Sequence, residues 1–66
     1  MNIVLNGEKI EITQHETLLS IITAYAIPEK VMAAAVNMTI VKKDDWATYL
    51  LYENDSVELL QFVGGG

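Results

Sequence analysis

Cysteine and arginine are missing from the 66-residue sequence, and histidine, tryptophan, proline and phenylalanine occur once each. Each shortage removes a class of function. Without cysteine there is no disulfide, no thiolate metal site and no thiol nucleophile. A single histidine, His15, rules out a multi-histidine metal centre. Without arginine the chain lacks the planar, forked donor best suited to phosphate. Four lysines against nine aspartates and glutamates leave a net charge of −5, the wrong sign for neutralising a nucleic-acid backbone. That balance suits a solvated surface or docking on a basic partner. No apolar run approaches the ~20 residues that cross a bilayer, and "MNIVLNGEKIEI" lacks the basic start and apolar stretch of a secretory signal. The expectation is a cytoplasmic protein that binds neither membrane nor nucleic acid.

Catalytic chemistry is equally thin. A nucleophile needs an activating base and a group that orients it. His15 sits in the polar stretch "TQHET", read as a solvated loop. Ser20 and Ser56 fall within a helix and at a strand start, and the adjacent acids Asp44 and Asp45 read as a capped, solvated turn. No glycine loop that could cradle a phosphate is present. The chain is not expected to be an enzyme by itself.

What the sequence does hold is a short, apolar-rich pattern of strands around one helix. Ile3 with Leu5, and Ile10 with Ile12, alternate at the two-residue period of a half-buried strand. Asn6-Gly7 between them is a type I′ hairpin signal, because both positions accept positive φ. In "TLLSIITAYAIP", Leu18, Leu19, Ile22 and Tyr25 or Ala26 form a helical stripe. Thr17 is placed to cap it, Glu16 complements its positive end, and Pro28 stops it near Tyr25 or Ala26. "VMAAAVN" predicts a third strand, Asn37-Met38-Thr39 a turn, and Ile40 to Lys42 a short fourth strand. Asp44 or Asp45 could cap a helical turn carrying Trp46, Glu53-Asn54-Asp55 is a turn, and Ser56 to Val63 is the last strand. This order predicts an α+β roll: a mixed sheet of four to five strands with one main helix across one face. The crossover through the helix makes one strand pair parallel. The expected layout is one domain over residues 1–63 and a flexible glycine tail over 64–66.

That tail is the sharpest functional signal. Three of the four glycines are Gly64, Gly65 and Gly66. Ordering them is entropically expensive without outside contacts. Extended, they reach ~10 Å, and with no side chains they fit a tunnel too narrow for other residues. On the strand before them, Val57 and Leu59 share one face, while Glu58, Leu60 and Phe62 share the other. If the first pair fills the core, Leu60 and Phe62 point outward as a docking patch, with Ala33 and Ala35 lying flat beside it. The competing reading covers that second face with the "WATYLLY" segment.

"MNIVLNGE", "TLLSII", "AAAVN", "IVKKDDWATYLL", "ENDSVELLQFV" and the glycine end together span essentially the whole chain. In these segments the sequence resembles the ThiS family, the sulfur carriers of thiamine-thiazole synthesis among the ubiquitin-like β-grasp proteins of the ThiS/MoaD superfamily. It departs from the family pattern at Met38, at Lys42-Lys43 where Pro-Arg is common, and at Asn54 in place of a turn glycine. The resemblance implies a β-grasp fold and a protein that is a cosubstrate of other enzymes. A ThiF-like adenylyltransferase would use ATP and Mg²⁺, bound by that partner and not by this chain, to adenylate the carboxylate of Gly66. Sulfur from a donor such as a cysteine desulfurase would displace AMP and leave a thiocarboxylate. A ThiG-like thiazole synthase would then admit Gly64, Gly65 and Gly66 and move the sulfur into the thiazole ring. Docking is assigned to Leu60, Phe62 and Ala35, and the free carrier is expected to be a monomer. The alternatives are a MoaD-like carrier for molybdopterin, a ubiquitin-like modifier of target lysines, and an interaction module whose glycines have no role.

Overall fold

The computed structural model describes residues 1–62. Its elements are strands β1 (Asn2–Leu5) and β2 (Glu8–Glu11), helix α1 (Leu18–Tyr25), and strands β3 (Val31–Val36), β4 (Thr39–Val41) and β5 (Ser56–Gln61). Short 3₁₀ turns at Pro28–Lys30 and Lys43–Asp45 join them. The strands form one five-stranded sheet in the order β2-β1-β5-β3-β4. β1 and β5 run parallel, and the other neighbours are antiparallel. The expected mixed sheet with a single helix on one face is the observed architecture. No helix among the described residues is long and apolar enough to cross a membrane.

The hairpin forms as its turn residues dictate: Asn6 (φ 49) and Gly7 (φ 83) both lie in left-handed backbone. Asn37 (φ 51) and Met38 (φ 71) make the same kind of two-residue turn between β3 and β4. A methionine there is unusual, since its Cβ disfavours that region. The turn is therefore one residue shorter than expected and β4 begins at Thr39. Asn54 (φ 69) serves the turn before β5 as anticipated. β2 ends at Glu11, although Ile12 stays in line, exchanging bonds of 2.7 Å with the main chain of Met1. β5 ends at Gln61, and the part of the expected strand at Val63 lies outside the described residues.

The helix starts where its cap residue puts it. Thr17 Oγ1 accepts from the Ser20 N–H at 3.1 Å. The N–H groups of Leu18 and Leu19, which have no partner inside a helix, donate to the carbonyls of Tyr49 (2.8 Å) and Trp46 (3.0 Å). The first turn is thus satisfied by its own cap and by the distant 46–49 loop. The expected apolar stripe is present through Ala26 and not Tyr25: Leu18 and Ile22 are buried and Leu19 and Ala26 pack against the core, while Ile21 joins them and Tyr25 is exposed. With only eight residues, the helix rotates its β-branched pair Ile21-Ile22 onto the sheet, and Tyr25 at its last position falls beyond the core.

All the fully buried side chains lie between α1 and the sheet. Ile3, Leu5, Val31, Ala34, Val36 and Val57 from the strands meet Leu18, Ile21 and Ile22. Trp46 and Leu51 enter the same cluster, so the "WATYLLY" segment closes the helical side of the core and leaves the sheet's other face uncovered. Trp46 is held there by a 3.0 Å bond from its indole Nε1–H to the Val41 carbonyl, with Lys43 Nζ 5.6 Å from its ring centre. The acids do not cap this turn as expected. Lys42 occupies the cap position with no side-chain bond, and Asp44 and Asp45 lie inside the 3₁₀ turn, near its positive end.

Trp46→Phe keeps most of the buried area and removes the indole donor to the Val41 carbonyl. It is expected to lower unfolding free energy by about 0.5–1.5 kcal/mol in urea titrations followed by circular dichroism; no change would mean that the bond contributes nothing. Glu16 gives a pH test. Hydrogen bonds from the Thr13 hydroxyl (2.8 Å) and then the Ser20 hydroxyl (3.0 Å) hold its carboxyl below the usual glutamate range. A carboxyl lowered on folding stabilises the fold above its unfolded pKa and loses that contribution as pH falls through the folded value. The stability of the unaltered protein should therefore exceed that of Glu16→Gln at pH 7, and the gap should close as pH falls below ~4. A gap independent of pH would contradict this.

Candidate functional site on the outer face of the sheet

The uncovered face is built by the alternation of β5 and its neighbours. Val57 is fully buried and Leu59 half-buried on the helical side, while Glu58, Leu60 and Phe62 point the other way. Pairing with β3 sets Ala35 opposite Glu58 and Ala33 opposite Leu60. Pairing with β4 sets Ile40 opposite Ala35. Large side chains on β5 and β4 therefore flank the Ala33–Ala35 stretch of β3, where the outward side chains are methyl groups. The result is a shallow groove of about 360 Å³, lined by Asn6, Ala33, Ala35, Ile40, Glu58 and Leu60 among others. Ile40, Leu60 and Phe62 are 67%, 61% and 61% exposed, so three large apolar side chains stand on a face that the described residues leave uncovered.

Of the residues singled out from sequence, Ala35 and Leu60 meet in the groove. Phe62 lies two residues further along the same face of the strand. Gly64, Gly65 and Gly66 lie outside the described residues. Ile40 and Asn6 were missed. Ile40 follows from a two-residue turn at Asn37-Met38, which fixes the β3–β4 register and hence the residue facing Ala35. Asn6 reads as a turn residue, yet its side-chain Oδ1 also accepts the Leu59 N–H at 2.8 Å. No local pattern signals that bond, because 53 positions separate the two residues.

The face carries the Glu58 carboxylate and otherwise apolar or amide groups. Among the described residues no three His, Asp or Glu side chains come together in a way that could hold a metal ion. His15 is exposed, in left-handed backbone (φ 66). The hollow it lines is shared with Met1, Gln14, Leu50, Leu51 and Tyr52, without a carboxylate or a serine.

With this geometry established, similarity to known proteins can be weighed. The model of the ThiS family matches residues 3–66. A crystal structure of a thiamine biosynthesis protein (ThiS) from Geobacter metallireducens covers both chains completely with a TM-score of 0.81 at 24% identity. A solution structure of a thiamine biosynthesis protein from the same organism gives 0.78 at 24% identity, covering all of this chain and 88% of that one. These likenesses carry the β-grasp fold. A thiazole synthase from Paramagnetospirillum magneticum (strain ATCC 700264 / AMB-1) is 27% identical over 66 residues, all of this chain; the chain spans 20% of that protein's length.

The two faces of the sheet should respond differently to truncation. Leu60→Ala, on the outer face, is expected to change unfolding free energy by less than ~0.5 kcal/mol. Leu51→Ala, in the core, should lower it by about 2–5 kcal/mol. Equal losses in urea titrations would show that Leu60 is packed in solution, and the outer face would no longer be a free surface.

Proposed function

The chain belongs to the ThiS family, and from that premise we propose that it is a sulfur carrier of thiamine biosynthesis. The observation that carries the reading is the extent of the family match. It runs over residues 3–66, taking in the sheet, the apolar outer face and the glycine end together. A patch with a carboxylate and no reactive constellation suits a protein handled by enzymes rather than one that performs the reaction.

In this reading the reactive group is the carboxylate of Gly66. A carboxylate is inert to sulfur nucleophiles until its oxygen becomes a leaving group. A ThiF-like adenylyltransferase, supplying the ATP and Mg²⁺ site, joins that oxygen to the α-phosphorus and releases pyrophosphate. The outer sulfur of a persulfide, supplied through a cysteine desulfurase, adds to the carbonyl carbon and expels AMP, giving an acyl disulfide. A thiol then attacks the donor cysteine's sulfur, breaking the S–S bond, forming a disulfide and releasing the thiocarboxylate. Sulfur is a stronger nucleophile than oxygen at neutral pH, so the thiocarboxylate can later attack where the carboxylate would not. Gly64 and Gly65 provide reach without bulk. Ala35, Leu60 and Phe62 hold the partner's surface. A thiazole synthase is the proposed acceptor, a role supported by the thiazole synthase that contains a stretch similar to this whole chain.

The absence of cysteine makes the test clean. The protein is incubated with ATP, a ThiF-like enzyme and a sulfur donor, alkylated at mild pH, and weighed intact. One alkyl adduct that needs ATP and disappears with deletion of Gly66 is expected. Alkylation separates the sulfur exchange from oxidation of Met1, Met32 or Met38, which adds nearly the same mass. An active enzyme that yields no adduct would sink the carrier reading, and an amide-linked conjugate to lysine would replace it with a modifier.

A further inference from the structure

The last strand has an open flank. β1 pairs with β5 only at Val4–Ser56 and Leu5–Val57, after which the chain turns away at Asn6-Gly7. The main-chain bonds on that flank are Val4 N–H to Asp55 O (2.9 Å) and Asn6 N–H to Val57 O (2.8 Å). The Asn6 side chain then stands in for one more ladder bond by accepting from Leu59 N–H. Beyond it no strand among the described residues pairs with this flank. On the other flank, Phe62 N–H donates to Lys30 O at 2.7 Å, which makes Val31–Gln61 a non-hydrogen-bonded antiparallel pair. The N–H and C=O of Gln61 therefore point away from β3, as does the C=O of Leu59. Gln61 is exposed, and a Cβ on Gly7, at the corner of this notch, would meet nothing within 4 Å.

The true sheet edges are protected in the usual way. β2 carries Glu8, Lys9 and Glu11, and β4 is three residues long and followed by Lys42 and Lys43. Charges and short length discourage edge pairing. The segment Leu59-Leu60-Gln61-Phe62 has neither device. It is apolar, uncharged and open, and four residues follow it in the sequence.

We infer that this notch is a strand-addition site: an extended main-chain segment of the thiazole synthase pairs with Leu59 C=O and the N–H and C=O of Gln61. The inference rests on the carrier reading above and adds the mode of engagement. Main-chain pairing supplies affinity with little demand on side chains. It also aligns the strand that leads to the reactive terminus, so the acceptor grips the chain within five residues of Gly66. The apolar outer face then lies against the same partner, next to the added strand.

The test follows individual amides of the ¹⁵N-labelled full chain by hydrogen exchange, with and without thiazole synthase from the same organism. In the free chain Leu59 and Phe62 amides are already bonded, so Gln61 should exchange fastest of the three. Saturation with the enzyme should slow Gln61 by at least about tenfold, the effect of one good hydrogen bond. Gln61→Pro removes that N–H without touching the bonds to β3 and should weaken binding about tenfold, whereas Gln61→Ala, which keeps the N–H, should bind normally. An unprotected Gln61 amide in a complex that still passes on its sulfur would overturn the strand-addition site and leave the carrier reading intact. Protection that grows with carrier concentration alone would assign the notch to a second copy and equally overturn it. A carrier that acquires no adduct in the mass assay and does not bind the enzyme would remove both. The exchange measurement uses the unaltered protein, so it decides the matter even if Gln61→Pro fails to fold.

Discussion

A four-residue first strand has to serve as neighbour to a six-residue last strand, and most of the molecule follows from that mismatch. Where the two overlap, at Val4–Ser56 and Leu5–Val57, β5 is flanked on both sides and Val57 is fully buried. Where β1 has ended, β5 is held among the described residues by β3 and by one side-chain bond from Asn6. One strand thereby anchors the core at its start and presents free main chain at its end. The parallel pair also requires the crossover that lays α1 across the sheet, so the helix and the open flank share one cause.

A chain of this size buries too little surface to be wasteful with polar groups. It has no disulfide, and it meets the constraint through long-range bonds from its irregular segment. The 46–51 loop gives carbonyls to Leu18 and Leu19, while Leu51 N–H donates to Glu16 O at 3.0 Å. Trp46 plugs the gap beside the helix and satisfies its own N–H on Val41. Among the described residues no buried side-chain nitrogen or oxygen is left without a partner. The loop therefore caps the helix and closes the core in one stretch, which leaves the other face of the sheet free for partners.

That freed face is shaped more by small residues than by large ones. Ala33 and Ala35 on β3 create a depression that Ile40, Glu58 and Leu60 border. Apolar rims with one carboxylate suit an apolar protein surface with a cation placed against Glu58. The groove and the notch by Gln61 are contiguous through β5.

Local chemistry determined the elements that depend on neighbours in sequence. Asn6-Gly7 specifies a hairpin through positive φ, Thr17 and Pro28 bound the helix, and the two-residue period on β5 separates Val57 and Leu59 from Leu60 and Phe62. These are legible because the cause lies within a few residues of the effect. Three features depended on tertiary structure. The 43–52 segment takes its path from bonds to the helix start rather than from its own propensities, so neither its capping nor its burial could be read locally. The helix buries Ile21 instead of Tyr25 because the sheet fixes the rotation of an eight-residue helix. Ile40 faces Ala35, and Asn6 reaches Leu59, through register and long-range contact. The sequence alone determined the strands, the helix and the outward direction of Leu60 and Phe62, since these follow from backbone periodicity and turn preferences. The tertiary structure decided which flank of β5 stays open, since that depends on where a strand 52 residues earlier happens to stop.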